Sequence, residues 1–372
     1  MLVGFIVNPI AGMGGKVGLK GTDNVLKDAV ARGAQPVSPE RATEFLEKLK
    51  RNITDERIDV ITCPGIMGER EAKKAGFPVR LLPMRIAKET TAQDTKTAVD
   101  LLAASDVDLI VFVGGDGTAR DVFDAMQGCR QVPVIGIPAG VKMYSGIFAV
   151  SPSDAVEVVL SYARGVATLM NLEIVDADEE SIRNDFFALR IHGSLKVPFL
   201  PARIQGSKQM SPESDDEVEN QRAIGKFILE QVPADAIWIL GPGTTVKEFA
   251  EMLGVQKTIL GIDIYHNGKI ILDVDEKTIL GEVTDWKHAW IVLSPIGRQG
   301  ILLGRGNQQL SPEVLKRVDK DHIIIAATKT KLQSIDGDIL RIDTGDSSIN
   351  EMLKGYARVV TDYREWRLMR VQ

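Results

Sequence analysis

With 372 residues, 44% of them apolar and 26% charged, the chain is too long for one ordinary core and has the balance of a folded, enzyme-sized protein of two domains. A formal charge of −6 at pH 7 argues against a nucleic-acid binder that relies on bulk positive charge, while leaving room for local basic pockets and small anionic ligands. Cys63 and Cys129 lie far apart without CxxC spacing, and His192, His266, His288 and His322 form no HExxH or paired pattern, which argues against a disulfide framework and a zinc site.

In chain order, the N-terminal stretch MLVGFIVNPIAG lacks a basic leader before its short apolar run, and no later run approaches a membrane span, so the expected location is cytoplasmic. Short β-branched runs at residues 2–7, 58–62, 79–82, 109–113 and 134–137 read as strands, alternating with helical patterns. In SPERATEFLEKLKR, Ser38 is placed to cap and Pro39 to open a helix whose Phe45 and Leu49 share one face. In TTAQDTKTAVDLL, Thr91 and Asp94 form a variant capping box. This alternation predicts a parallel sheet wrapped by helices over residues 1–165. A helix follows at SPSDAVEVVLSYARG, and the texture then changes to closely spaced strand-like runs. Residues 166–372 are expected to form a β-rich domain, its last segment packing back on the first domain. Within it, Asn267-Gly268 between two apolar runs is a strong hairpin signal. The polar, acidic stretch 207–221 reads as an exposed loop running into a helix.

The stretch DLIVFVGGDGTARDV, Asp108 to Val122, carries the chemistry. A strand ending in Gly114-Gly115 turns sharply and admits a ligand close to the backbone, because no Cβ stands in the way. A helix starting near Thr118 would aim its N-terminal N–H groups at the same spot, which suits phosphate. With Gly117 and Thr118 the loop reads as a phosphate cradle. A carboxylate there, Asp116, would repel phosphate unless it binds a divalent metal, with magnesium the expected ion, or takes the proton of an attacking hydroxyl. Its bland counterpart is an Asp-Gly turn with no ligand.

Two better-known phosphate motifs fail on spacing. GMGGKVGLKGT has no glycine five residues before Gly15-Lys16, so it is no Walker A loop, and Val17 stands where GxGxxG needs its last glycine. What remains after the first strand is VNPIAGMGGK, where the Asn8 amide can donate and Lys16 can reach a phosphate. Further along, Gly243, Thr244 and Thr245 open a helix that either holds phosphate or sugar hydroxyls or is an ordinary Thr-capped start. Arg298 and Arg305, set among glycines, either grip phosphate or are solvated on a hairpin.

GGDGT at Gly114 to Thr118, preceded by NPIAG after the first strand, resembles the superfamily of NAD kinases, diacylglycerol-type lipid kinases and phosphofructokinases. With GIPAGVKMYSGIFA, LGPGTTVKEFAEMLG and SPIGRQGILLGRGNQQLSPEV the chain is similar over nearly its whole length to the ATP-NAD kinase/AcoX-like family. The resemblance implies an N-terminal α/β domain, a β-rich C-terminal domain, an active site in the cleft between them, ATP as donor, a divalent metal and Asp116 as the residue activating the acceptor hydroxyl. The implied partners are small molecules, NAD and ATP, with no nucleic acid and no membrane, and a homo-oligomer is expected.

The chain departs from NAD kinases proper where they carry an Asn-containing loop, having Pro138 and Ala139 there, and it shows no clear counterpart of their Asn-Glu pair. The reading is a kinase transferring a phosphoryl group from ATP, another nucleotide or polyphosphate to a hydroxyl, first of all the adenosine ribose hydroxyl of NAD. The alternatives are a sugar, polyol or nucleoside acceptor, and a non-catalytic nucleotide sensor.

Overall fold

The computed structural model describes residues 1–14, 31, 33–87, 89–140, 143–177, 189–200, 203–204, 215–297 and 299–372. They fall into two compact units, the first holding the described residues up to 204 and the second those from 215 onward. The division therefore comes after the expected boundary at residue 165.

The first unit is built on a five-stranded parallel sheet in the order β3-β2-β1-β4-β5, with β1 Leu2–Val7, β2 Asp59–Thr62, β3 Val79–Leu81, β4 Leu109–Gly114 and β5 Val134–Pro138. Every residue of β4 and β5 is buried, as strands covered on both faces require, which is why they read as unbroken apolar runs. The helices are α1 Ser38–Asn52, α2 Glu69–Lys74, α3 Ala92–Ala103, α4 Asp116–Met126 and α5 Pro152–Ala163. In α1, Ala42, Phe45, Leu46 and Leu49 form the buried stripe, and Phe5 stacks on Phe45 at 6.1 Å between centroids. The capping box of α3 is present, the Asp94 carboxylate accepting from the Thr91 N–H at 2.8 Å and the Thr91 hydroxyl at 2.9 Å. Lys96 ties α3 to α4 through Asp124 at 2.7 Å, a surface pair worth about 1 kcal/mol at most. Cys63 is fully buried and its thiol is pushed up to about 12, chiefly by burial, as befits a structural residue.

Ser38 is a correction. The N-cap of α1 is Val37, without a side-chain cap, and the Ser38 hydroxyl instead donates to the Ala11 carbonyl at 2.9 Å, fully buried. It tethers the loop after β1.

β6 Thr168–Ala177 and β7 Leu189–Phe199 pair antiparallel and belong to the first unit. Gly193 of β7 lies against Phe123 of α4, where a Cβ would come within 2.3 Å of the ring. This non-local packing, rather than the change in sequence texture, fixes the boundary.

The second unit carries a nine-stranded sheet, β10-β9-β8-β11-β13-β15-β16-β14-β12. Its strands are β8 Ile237–Leu240, β9 Asp263–His266, β10 Lys269–Ile271, β11 Ala289–Leu293, β12 Ile301–Leu303, β13 Ile323–Ala326, β14 Ile339–Ile342, β15 Gly355–Asp362 and β16 Glu365–Val371. It is strand-rich as expected. The sequence did not disclose that β8, β11, β13 and β15 run parallel. Asn267 and Gly268, at φ 49° and 78°, form the expected β9–β10 hairpin, with the positive φ values of a type I′ turn. Helices α6 Asp215–Gln231, α7 Thr244–Met252, α8 Glu276–Glu282, α9 Pro312–Leu315, α10 Lys329–Gln333 and α11 Ser347–Leu353 complete the unit. The C-terminal strands β15 and β16 lie inside this sheet, between β13 and β14. The acidic stretch expected as a loop lies mostly outside the described residues. No described helix is long and apolar enough to cross a membrane.

Candidate active site

In the first unit β2 and β3 follow β1 on one side, and the chain then crosses back to lay β4 and β5 on the other, so the strand order reverses between β1 and β4. In open parallel sheets ligands bind outside the carboxyl ends of the strands at such a reversal. Three loops meet there. The first follows β1, where the Asn8 N–H donates to the Val113 carbonyl at 3.0 Å. The second is Gly114 to Thr118. The third follows β5, where the Ala139 N–H donates to the Gly114 carbonyl at 2.9 Å.

Glycine is required at two of these contacts. Gly12 has φ +81°, and a Cβ there would lie 1.8 Å from the Ala139 carbonyl oxygen. A Cβ on Gly114 would lie 2.4 Å from the Thr118 hydroxyl oxygen. Gly115 has more room, its nearest neighbour being the Gly140 Cα at 3.4 Å from a Cβ.

Helix α4 begins at Asp116 itself, two residues before the expected start, with Gly115 as N-cap. Asp116 thus occupies the first turn, where the partial positive charge of the helix end favours a carboxylate. Its two oxygens accept from the Tyr144 N–H at 2.6 Å and the Ser145 N–H at 3.0 Å. Ser145 is fully buried, its hydroxyl donating to the Val175 carbonyl at 3.1 Å and accepting the Val175 N–H at 3.0 Å. The donor loop is therefore pinned to β6. Burial first, and the charge of Asp116 second, push the Tyr144 phenol well above its ordinary value, so it stays protonated.

The other expected residues divide. Thr118 is buried and accepts from the Asn8 side-chain amide at 2.9 Å, so this pair joins the first two loops to each other. Gly117 lies in the first turn of α4. Lys16 and Arg298 lie outside the described residues. Tyr144, Ser145, Gly12 and Gly140 were not picked out from the sequence: backbone donors leave no side-chain signature, and the glycine contacts are tertiary.

In the second unit, Gly243, Thr244 and Thr245 follow β8 at its carboxyl end. The N-cap of α7 is Gly243 at φ +113°, so the Thr-capped alternative does not describe this helix. The Gly243 N–H donates to the Ile259 carbonyl at 2.8 Å, and the Thr244 hydroxyl accepts from the Gln221 amide at 3.3 Å. Because β8, β11 and β13 are parallel, Ser294 after β11 and α10 after β13 share this edge of the sheet. Lys331 of α10 donates to the Ser294 hydroxyl at 3.0 Å, with its Nζ 3.9 Å from where a Gly243 Cβ would stand. A cation, a hydroxyl and a helix N-terminus are thus gathered at one turn. Arg305 is half-buried and donates to the Gln299 side-chain amide oxygen at 2.8 Å, so it is not simply solvated.

Among the described residues no three or more His, Cys, Asp or Glu side chains group as metal ligands. Magnesium does not need such a group, since it is commonly held by one or two carboxylates with substrate phosphates and water. A single carboxylate in a glycine-lined turn, Asp116, fits that manner of binding.

The first unit is thus a doubly wound α/β domain with a glycine cradle and a fixed carboxylate at its switch point, joined in one chain to a strand-rich domain. Residues 3–165 match the ATP-NAD kinase N-terminal domain and residues 235–371 match the ATP-NAD kinase C-terminal domain. The chain belongs to the ATP-NAD kinase family. No curated protein and no solved structure gives a significant match.

Proposed function

We propose that the protein is a kinase that transfers the γ-phosphoryl group of ATP to a hydroxyl of a small molecule, first of all the adenosine ribose 2′-hydroxyl of NAD, giving NADP. The observation that carries this reading is Asp116, a carboxylate fixed by two backbone N–H groups in the glycine-lined turn after β4. A protein that only bound nucleotide would gain from the glycines and N–H donors and lose from a carboxylate beside phosphate.

In this reading the phosphates lie against the Gly114–Gly117 turn and the N-terminus of α4. Asp116 accepts the proton of the acceptor hydroxyl as its oxygen bonds to the γ-phosphorus, and the bond to ADP breaks. A divalent ion, held by Asp116 and the nucleotide's own oxygens, would offset the phosphate charge. Gly243, Thr244 and Thr245, with Lys331 beside them, would serve a phosphate or sugar hydroxyl of a substrate.

A second acceptor reading, a sugar, polyol or nucleoside, is favoured by Pro138 and Ala139. Ala139 is buried and contributes only backbone groups, so the loop after β5 offers no side-chain amide to a nicotinamide or ribose. Losing one such partner costs about 1–3 kcal/mol, which relaxes specificity without abolishing binding. The test is to incubate enzyme, NAD, ATP and magnesium and to assay NADP with an NADP-specific dehydrogenase. NADP should accumulate, with NADH a poorer acceptor. Background NADP alongside ATP consumption in the presence of a sugar, polyol or nucleoside would give the second reading.

A further inference from the structure

Lys257 and Asp263 form an ion pair that lies wholly out of water in the second unit. Both side chains are 0% exposed, and the Lys257 Nζ lies 3.5 Å from a carboxylate oxygen of Asp263, the first residue of β9. Their grip falls on Thr258. The Asp263 carboxylate accepts the Thr258 N–H at 2.9 Å and the Thr258 hydroxyl at 3.0 Å, and Lys257 donates to the Thr258 carbonyl. The same carboxylate accepts the Asp273 N–H at 2.7 Å. The loop has no slack, since a Cβ on Gly261 would lie 2.4 Å from both the Thr258 hydroxyl and the Asp273 carboxylate. Two buried charges are a poor source of stability, because the loss of hydration offsets their attraction. What the pair supplies is a fixed course for residues 257–263.

We infer that Lys257 and Asp263 are positioning residues for the turn at Gly243, Thr244 and Thr245. In the proposed reaction the first unit cradles ATP, which leaves this turn to the acceptor, and the inference rests on that reading. The link from the pair to the turn is one residue long. Ile259, next to Thr258, accepts the Gly243 N–H at 2.8 Å. That bond holds the N-cap of α7 at φ +113°. The first bond of the helix runs from the Lys247 N–H to the Gly243 carbonyl at 3.0 Å, so the N–H groups of Thr244 and Thr245 make none within α7. Their direction follows from Gly243, and that of Gly243 from Ile259. Lys257 and Asp263 are themselves sealed from solvent, so they act on a ligand only through this backbone. Binding groups must be held to about 0.5 Å, which a turn on a loop achieves only with such support.

Kinetics and hydrogen exchange on the full chain test this with Lys257→Met, which keeps the length of the side chain and removes its charge. KM for the acceptor should rise about 10-fold or more, because a small displacement of a binding group costs most of its effect. At saturating acceptor, kcat and the KM for ATP should stay within about 2-fold of wild type. A pair that served stability alone would act the other way, thinning the folded fraction and lowering kcat while both KM values held. In the ligand-free protein, amide exchange over residues 241–246 should quicken while β11 keeps its protection. Thr258→Val removes one hydroxyl and leaves both charges in place. It should shift the acceptor KM the same way by a smaller factor, and it carries the test should Lys257→Met unfold. An acceptor KM unchanged in the folded variants would overturn the inference. A wild type that phosphorylates no acceptor would instead count against the kinase reading, and exchange would then decide the positioning, unchanged protection over 241–246 overturning it.

Discussion

Asp116→Asn is expected to lower kcat by about 10²–10⁴-fold, because the amide keeps the size of the side chain but neither accepts the hydroxyl proton nor ligates a divalent ion as a carboxylate does. That corresponds to about 3–5 kcal/mol of barrier. The structure adds a second, smaller effect. Asp116 accepts two backbone N–H groups, and an amide can accept with its oxygen only, so one of the Tyr144 and Ser145 donors loses its partner. The cost to stability is about 1–3 kcal/mol. The two effects separate cleanly: kcat is measured at saturating substrates on protein shown to be folded by circular dichroism, and stability by thermal unfolding. ATP affinity should change far less than turnover. Near wild-type turnover in the folded variant would remove Asp116 from the chemistry and leave it an anchor for the Tyr144 loop.

Gly12→Ala is expected to be the most damaging single methyl in the cradle. At φ +81° a side chain already costs about 1–2 kcal/mol, and the new Cβ would fall 1.8 Å from the Ala139 carbonyl oxygen, so the loop after β1 must move. The combined loss should reach about 3 kcal/mol or more, with Asn8 drawn away from Thr118. Gly65→Ala is the matched control: its φ is +67° and nothing lies within 4 Å of its Cβ, so it should lose only the backbone part, about 1–2 kcal/mol. Gly115→Ala, with 3.4 Å to Gly140, should fold and report on ligand access alone. Thermal unfolding of the three variants ranks them. Equal losses for Gly12→Ala and Gly65→Ala would show that the contact with Ala139 does not hold the cradle together.

Much of the fold was legible where its signals are local. The β-branched runs at residues 2–7 and 109–113, the Thr91–Asp94 box and the Asn267-Gly268 turn each follow from the conformations open to a few consecutive residues, and each stands where the pattern put it. Ser38 shows the limit. Its position before Pro39 is right for a cap, but a buried carbonyl at Ala11 competes for the hydroxyl and wins. The contact-based division of the chain falls after residue 165 for a similar reason: β6 and β7 look like the start of a β-rich half, and non-local contacts, Gly193 with Phe123 and Ser145 with Val175 among them, tie them to the first unit. In the site, GGDGT announced the carboxylate, whereas the N–H groups that hold it come from residues 144 and 145, whose side chains advertise nothing. The parallel run in the second unit stayed hidden because its strands are short and their crossover connections are not regularly helical.

Phosphotransfer itself is tested most directly by mass spectrometry of the products formed from ATP, magnesium and a panel of hydroxyl acceptors that includes NAD. One acceptor, NAD first among them, should gain a single phosphoryl group in step with ADP release, and the product should disappear with Asp116→Asn. ATP bound by the cradle with no acceptor phosphorylated anywhere in the panel would contradict the kinase reading and make the chain a nucleotide sensor.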